Sequence, residues 1–253
     1  MSLKVTYVGH GSVLLDLDGV RLLTDPLLRR RVAHLRRVVP AVAPDSLREI
    51  DAVLVSHAHY DHLDLPSLER LGKEIPIVVP KGLGRLLRGR RFERVTEVGV
   101  GDELRFGALT VRATPAVHSG NRGPLGAKAA ALGFAVLGSV RSYFAGDTDL
   151  FPELEGLVDA LDVALLPIWG WGPRLGPGHL DPGRAAEAAR LLAPRTVVPI
   201  HWGTYVPLTH RLGRSPASLH APPALFAAEL AKKAPEVALR VLRPGETAEL
   251  ESA

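Results

Sequence analysis

The segment Ser56-His57-Ala58-His59-Tyr60-Asp61-His62 packs three histidines and an aspartate into six residues. The chain has ten histidines in all, so this density is not random scatter. Imidazole nitrogens and carboxylate oxygens are the ligands that borderline and hard divalent metals prefer. The run leaves a short apolar stretch, Ala52 to Ser56, which reads as a buried strand. Residues two apart on such a loop share a side, so His57 and His59 point the same way. Asp61 and His62 then fall on the following turn, where they can face a second metal.

One metal needs about four ligands, so the cluster is incomplete by itself. Candidates recur at equivalent places. His118 follows an expected strand at 109–117, Asp147 follows one at 141–145, and His201 follows one at 196–200. Four strand ends would thus each bring a ligand-type side chain to one rim. Gly146 and Gly203 sit beside two of them and permit tight turns there.

The elements that must position these residues are mixed. Residues 3–8, 12–17 and 20–24 read as strands, with Asp18-Gly19 as a hairpin turn. Ile75 to Val79 is a further strand. Residues 94–98, 103–106, 109–117, 132–138, 141–145 and 162–168 continue the β pattern, and Thr196 to Ile200 adds another. Helices are expected at Leu65–Leu71, at Gly82–Leu87, at Pro182–Leu192 behind an Asp181 cap, and at Pro223–Lys233. The tail, 237–250, reads as a last hairpin around Pro244-Gly245. Long β stretches with helices arriving late in each half suggest two packed sheets with helices outside.

With 253 residues and 46% of them hydrophobic, the chain can bury a large core, and we read residues 1–253 as one domain. It contains no cysteine, which removes disulfides, thiolate ligands and a cysteine nucleophile. A cytoplasmic location is the expectation. No signal-peptide pattern opens the sequence, and the most apolar window, 129–140, is too short to span a bilayer. The net charge of +4 is a mild excess, with arginines clustered at 29–31, 36–37 and 88–91. It could favour an anionic substrate but does not establish nucleic-acid binding.

The motif His57-x-His59-x-Asp61-His62, followed at a distance by His118, Asp147 and His201, resembles the metallo-β-lactamase superfamily. The resemblance implies an α/β fold, an αββα four-layer sandwich of two similar halves. It also implies that His57, His59 and His118 hold one metal, that Asp61, His62 and His201 hold a second, and that Asp147 bridges them. Val8 to Ser12, Thr24-Asp25-Pro26, Phe144 to Thr148, Gly178 to Pro182 and Ile200 to Thr204 are similar to one branch. That branch contains L-ascorbate-6-phosphate lactonases and N-acyl-phosphatidylethanolamine phospholipase D. The function implied is a hydrolase whose dinuclear site and bridging hydroxide cleave an ester, lactone or phosphodiester bond of a small or lipid-like substrate. Zinc is the first expectation for both ions, with manganese and iron as alternatives. A nuclease acting on RNA or DNA ends, or an iron-dependent oxidoreductase on the same fold, are the competing readings.

Further residues receive roles on this reading. Asp61 would orient the attacking water or accept its proton. His179 matches a histidine that lies beside the substrate in the phospholipase branch, where it would act on the leaving group. His10, Asp25 and Asp64 are candidates to orient a metal ligand or water. Trp169, Trp171 and Trp202 fall near expected rim loops and are candidates to line a substrate pocket.

Overall fold

Asp18 and Gly19 both take left-handed backbone, with φ of 51° and 75°, as a two-residue hairpin turn requires. They set Leu17 opposite Val20 and so fix the register of the first hairpin. The computed structural model describes residues 1–123, 126–170, 176–209 and 217–252. In chain order its strands are β1 (Ser2–Gly9), β2 (Ser12–Leu17), β3 (Val20–Thr24), β4 (Arg31–Val32), β5 (Leu35–Arg37), β6 (Ala52–Leu54), β7 (Ile77–Pro80), β8 (Val95–Val98), β9 (Glu103–Phe106), β10 (Leu109–Pro115), β11 (Leu132–Leu137), β12 (Arg141–Phe144), β13 (Val163–Pro167), β14 (Thr196–Ile200), β15 (Tyr205–Pro207), β16 (Ala238–Leu239) and β17 (Thr247–Glu251). The helices are α1 (Leu65–Leu71), α2 (Gly84–Arg88), α3 (Pro182–Leu192), α4 (Ala217–His220) and α5 (Pro222–Lys233).

Two seven-stranded sheets dominate. The first has the order β17-β1-β2-β3-β6-β7-β8, and the second β16-β14-β13-β12-β11-β10-β9. Alternation along β1 and β2 sends Leu3, Val5, Tyr7, Val13, Leu15 and Leu17 to the inner face, into one core with Phe134, Val136 and Tyr143 of the second sheet. The opposite face of the first sheet offers Val8, Leu14, Leu23, Val53 and Val55. Leu65 and Leu68 of α1 and Leu87 of α2 cover it. Outside the second sheet, the buried alanines 185, 186, 188 and 189 of α3 and Phe226 and Leu230 of α5 complete the αββα sandwich.

The topology decides where ligand-type residues emerge. β3, β6 and β7 run parallel, and β1 runs the same way because it is antiparallel to β2, as β3 is. β10, β12, β13 and β14 likewise share one direction. The carboxyl ends of β1, β3 and β6 therefore share one edge of the first sheet, and those of β10, β12 and β14 share one edge of the second. Backbone bonds sew the two edges together: His201 N–H donates to His10 O at 2.9 Å, and Leu132 N–H to Ser56 O at 3.0 Å.

The tail departs from the expected hairpin. β16 adds parallel to β14 in the second sheet, whereas β17 pairs antiparallel with β1 in the first. A self-paired tail would leave both of those sheet edges open. The turn at Pro244-Gly245 instead carries the chain from one sheet to the other. A small third sheet, β15-β5-β4, was also not expected, because its strands are only two or three residues long.

Candidate metal centre

The six strand ends deliver two groups of side chains. In the first, His57, His59 and His118 bring ligand atoms within 4.8 Å of one another. His59 Nδ1 and His118 Nε2 face each other at 3.1 Å. His118 Nδ1 donates to Gly178 O at 2.7 Å, which leaves Nε2 with its lone pair toward the group. Gly178 must be glycine: its φ is +81°, and a Cβ there would stand 3.1 Å from His118 Nδ1. His57 is fully buried. Its Nδ1 lies 2.9 Å from Ser56 Oγ, while its buried Nε2 has no hydrogen-bond partner among the described residues.

In the second group, Asp61, His62 and His201 gather with His10, again within 4.8 Å. His62 Nε2 and His201 Nε2 are 3.1 Å apart. The far nitrogens are both engaged. His62 Nδ1 donates to Asp25 Oδ2 at 2.7 Å, and His201 Nδ1 to Trp169 O at 2.9 Å. His10 Nε2 sits 2.9 Å from Asp61 Oδ2, and its ring lies 3.8 Å from that of His201.

Asp147 stands between the groups. Its Oδ2 is 3.2 Å from His62 Nε2 and its Oδ1 3.3 Å from His201 Nε2, and it also clusters with His118 and His179. The Oδ1 contact lacks hydrogen-bond geometry, so this buried oxygen has no donor among the described residues. Gly146, with φ +62°, lets the chain turn against Ser56, where a Cβ would come within 2.7 Å of the serine Cβ.

Protonation follows from burial and neighbours. Burial pushes the pKa values of His57, His59 and His118 down, and that of His201 down to about 3. These rings are neutral, as metal ligands must be. At His62 burial acts in the same sense, but the Asp147 and Asp25 carboxylates outweigh it and raise the pKa well above the usual range. Burial disfavours the Asp147 and Asp61 anions, yet the surrounding imidazoles hold both well below the ordinary carboxylate value. The arrangement fits a divalent cation. Two pairs of imidazole nitrogens approach to 3.1 Å, a separation that one ion with Zn–N bonds of roughly 2.0–2.1 Å accommodates. The unpartnered His57 Nε2 and Asp147 Oδ1 point to the same filling.

Other anticipated residues separate. Asp25, fully buried, accepts from Ser56 N–H (2.7 Å), Ser56 Oγ–H (2.5 Å) and His62 Nδ1. His179 is part-exposed, with Nε2 3.7 Å from Asp147 Oδ2 and its ring edge-on to His118. Asp64 lies apart. It caps α1 through Ser67 N–H at 3.1 Å and takes a two-pronged bond from Arg29 at 2.8 and 2.5 Å, so its hydrogen bonds go to structure and not to a histidine. Trp202 is 5% exposed, stacks on Tyr7 and donates Nε1–H to Pro199 O at 3.0 Å. It is core packing, because its indole N–H found a buried carbonyl inward of the rim. Trp171 lies outside the described residues. Trp169 lines a cavity of about 380 Å³ with Asp149, Gly176, Pro177, His179, Asp181 and Arg184. A larger cavity, about 700 Å³, lies at the other ends of β6 and β7 around Ile50, Asp51, Ile75 and Pro76, and includes none of the ligand-type residues. Sequence reasoning missed Ser56, whose only signal is that it immediately precedes the histidine run.

A family model described as a β-lactamase superfamily domain matches residues 20–202. An N-acyl-phosphatidylethanolamine-hydrolyzing phospholipase D of Caenorhabditis elegans is 34% identical over 230 residues, 80% of this chain and 64% of that protein, so the chain spans just under two thirds of that relative. A UPF0173 metal-dependent hydrolase of Methanopyrus kandleri is 30% identical over 98% of this chain and its own full length. Among solved structures, a metallo hydrolase from the archaeon Ignicoccus hospitalis is 26% identical, with each chain fully covered and a TM-score of 0.76. Among the described residues, no helix is long and apolar enough to cross a membrane.

Proposed function

The chain belongs to the β-lactamase superfamily and sits among its metal-dependent hydrolases, and from that premise we propose a dinuclear hydrolase acting on an ester, lactone or phosphodiester bond. His57, His59 and His118 would hold one ion and Asp61, His62 and His201 the other, with Asp147 shared. The observation that carries this is the facing of two imidazole nests across a single buried carboxylate. Two divalent ions, zinc in our reading, would supply a water acidified to a pKa of roughly 7 and polarise the bond under attack.

The chain's own groups supply the rest. The His10 bond fixes one oxygen of Asp61 and helps keep the carboxylate ionised, so that the residue orients the attacking water as an acceptor. His179, part-exposed beside Asp147 and His118, would donate a proton from Nε2 to the leaving group. The cavity of about 380 Å³ beside it is lined mainly by polar residues and suits a small substrate or the headgroup of a lipid-like one. The name of the nematode relative favours the phosphodiester among the three bond types. The cysteine-free sequence supports a cytoplasmic location.

Elemental analysis of protein purified without added metal, with a panel of p-nitrophenyl esters, lactones and phosphodiesters, tests the reading. We expect two equivalents of zinc and cleavage that a chelator abolishes. Full activity of metal-free protein would end the proposal. His179→Ala should lower turnover while leaving metal content unchanged. Equal loss of both would remove its role on the leaving group.

A further inference from the structure

The loop bearing His57, His59, Asp61 and His62 is clamped by a residue outside the ligand set. Arg122 lies four residues after His118, and its Nη1 donates to Ala58 O at 3.0 Å and to Leu63 O at 2.8 Å. Those two carbonyls bracket residues 59–62. The guanidinium carbon rests 4.1 Å from the centroid of the Tyr60 ring. Ala58 N–H donates to Gly120 O at 3.2 Å, and Arg122 N–H to Ala127 O at 2.9 Å, which braces the arginine itself. The segment carrying His118 is thus tied to the loop carrying His59 by three bonds, two of them through one guanidinium.

The other ligand-type residues of the loop have their own anchors: His57 on Ser56, Asp61 on His10 and His62 on Asp25. Among the described residues, the hydrogen-bond contact of the His59 ring is with His118, 3.1 Å away. Its position therefore depends on the backbone that Arg122 grips. We propose that Arg122 is a positioning residue for the cage of His57, His59 and His118, setting the spacing of His59 from His118. This rests on the reading that these three histidines hold an ion. A lysine at 122 can reach one carbonyl, but it lacks the planar fork that also covers the Tyr60 ring.

The test is stepwise zinc titration against a chromophoric chelator, for wild type, Arg122→Ala and Arg122→Lys, with thermal melting of each. Substituting groups that orient metal ligands typically weakens binding roughly 10–100-fold, and for a group acting through backbone we expect the low end, about tenfold. In Arg122→Ala one equivalent should weaken by about that factor while the other holds. Partial recovery is expected in Arg122→Lys and on adding methylguanidinium to Arg122→Ala. Unchanged binding of both equivalents, or equal weakening of both, overturns the proposal. Should Arg122→Ala fail to fold, Arg122→Lys carries the same comparison, and an unshifted affinity there is equally fatal. A wild type that takes up no zinc would instead refute the metal reading itself.

Discussion

On the proposed dinuclear reading, replacing Asp25 by asparagine should disarm one ligand in each cage at once. A carboxylate only accepts, so Ser56 Oγ must donate to Asp25 Oδ2 across 2.5 Å, and His62 Nδ1 must donate to it across 2.7 Å. With its proton committed, Ser56 Oγ accepts from His57 Nδ1 at 2.9 Å, which leaves His57 Nε2 bare. In Asp25→Asn, the amide oxygen stays on Ser56 N–H, now 2.7 Å from Oδ1, and the NH2 group occupies the place of Oδ2. Both partners must then accept. His62 in the neutral form that an ion would bind must then carry its one proton on Nε2, facing Asp147, and Ser56 turns its hydroxyl proton onto His57 Nδ1, so His57 also carries its proton on Nε2. Each cage now meets an N–H where it needs a lone pair. Loss of an orienting group of this kind costs roughly 10–100-fold in affinity per ion, or about 1.4–2.7 kcal/mol. Competition with a chromophoric chelator at neutral pH reads both steps. Ser56→Ala separates the legs, because it cuts only the route to His57 and should weaken one ion alone. Wild-type affinity for both ions in Asp25→Asn, in a protein that melts normally, would refute the reasoning. So would equal weakening of both ions in Ser56→Ala.

Two further outcomes follow from groups away from the ligands. Glu97 accepts from Gly82 N–H (2.8 Å), Gly84 N–H (3.0 Å) and Arg88 (2.5 Å) at the start of α2, and these bonds lower its pKa. A depressed carboxylate stabilises the fold above its unfolded pKa of roughly 4.3 and loses that contribution as pH falls through the folded value. Glu97→Gln should therefore cost about 1 kcal/mol at neutral pH, with the gap to wild type closing in acid; denaturant melts that show a pH-independent gap would contradict this. Trp202→Ala should cost about 3–5 kcal/mol of stability. Trp202→Phe should leave KM unchanged for whatever substrate is cleaved, and a raised KM would return the indole to the substrate pocket.

The sequence exposed the ligand-type residues because strand ends are easy to read: an apolar run stops and a histidine or aspartate follows. α1, α3 and β14 match their expected bounds because Asp64 and Asp181 cap the helices and apolar runs mark the strand. What stayed hidden depends on contacts between distant segments. The tail strands look like a hairpin locally, and only the open edges of β1 and β14 divide them. Asp64 next to a histidine run looks like a partner for it, until Arg29, 35 residues upstream, takes its carboxylate. Trp202 beside His201 looks like rim, but the left-handed backbone at His201 ends the strand there, and the indole lies buried on Tyr7 with its N–H on Pro199 O. The grip of Arg122 on the loop could not be read at all, since nothing local marks which carbonyls a guanidinium will find.

The location of the cluster has a mechanical reason as well as a chemical one. His10, Asp25 and His201 all hold left-handed backbone, with φ of 60°, 34° and 64°, a region that non-glycine residues rarely take. Each such residue costs on the order of 1–3 kcal/mol and persists only where its surroundings over-determine it. Here the surroundings are the two sheet edges. His201 N–H bonds to His10 O, His10 N–H to Thr204 Oγ1 at 3.0 Å, and Asp25 N–H to Leu54 O at 2.9 Å. The chain turns in left-handed backbone as it leaves β1, β3 and β14; the His10 and His201 rings meet across the seam, while Asp25 bonds to Ser56 and His62 at its own sheet's edge. A relaxed extended backbone at positions 10 and 201 would follow the strands outward and leave the two imidazoles apart. The strain at His10 and His201 is thus tied to bonds that join the sheets, so loosening the seam should loosen the second group of ligand-type residues before it unfolds either sheet.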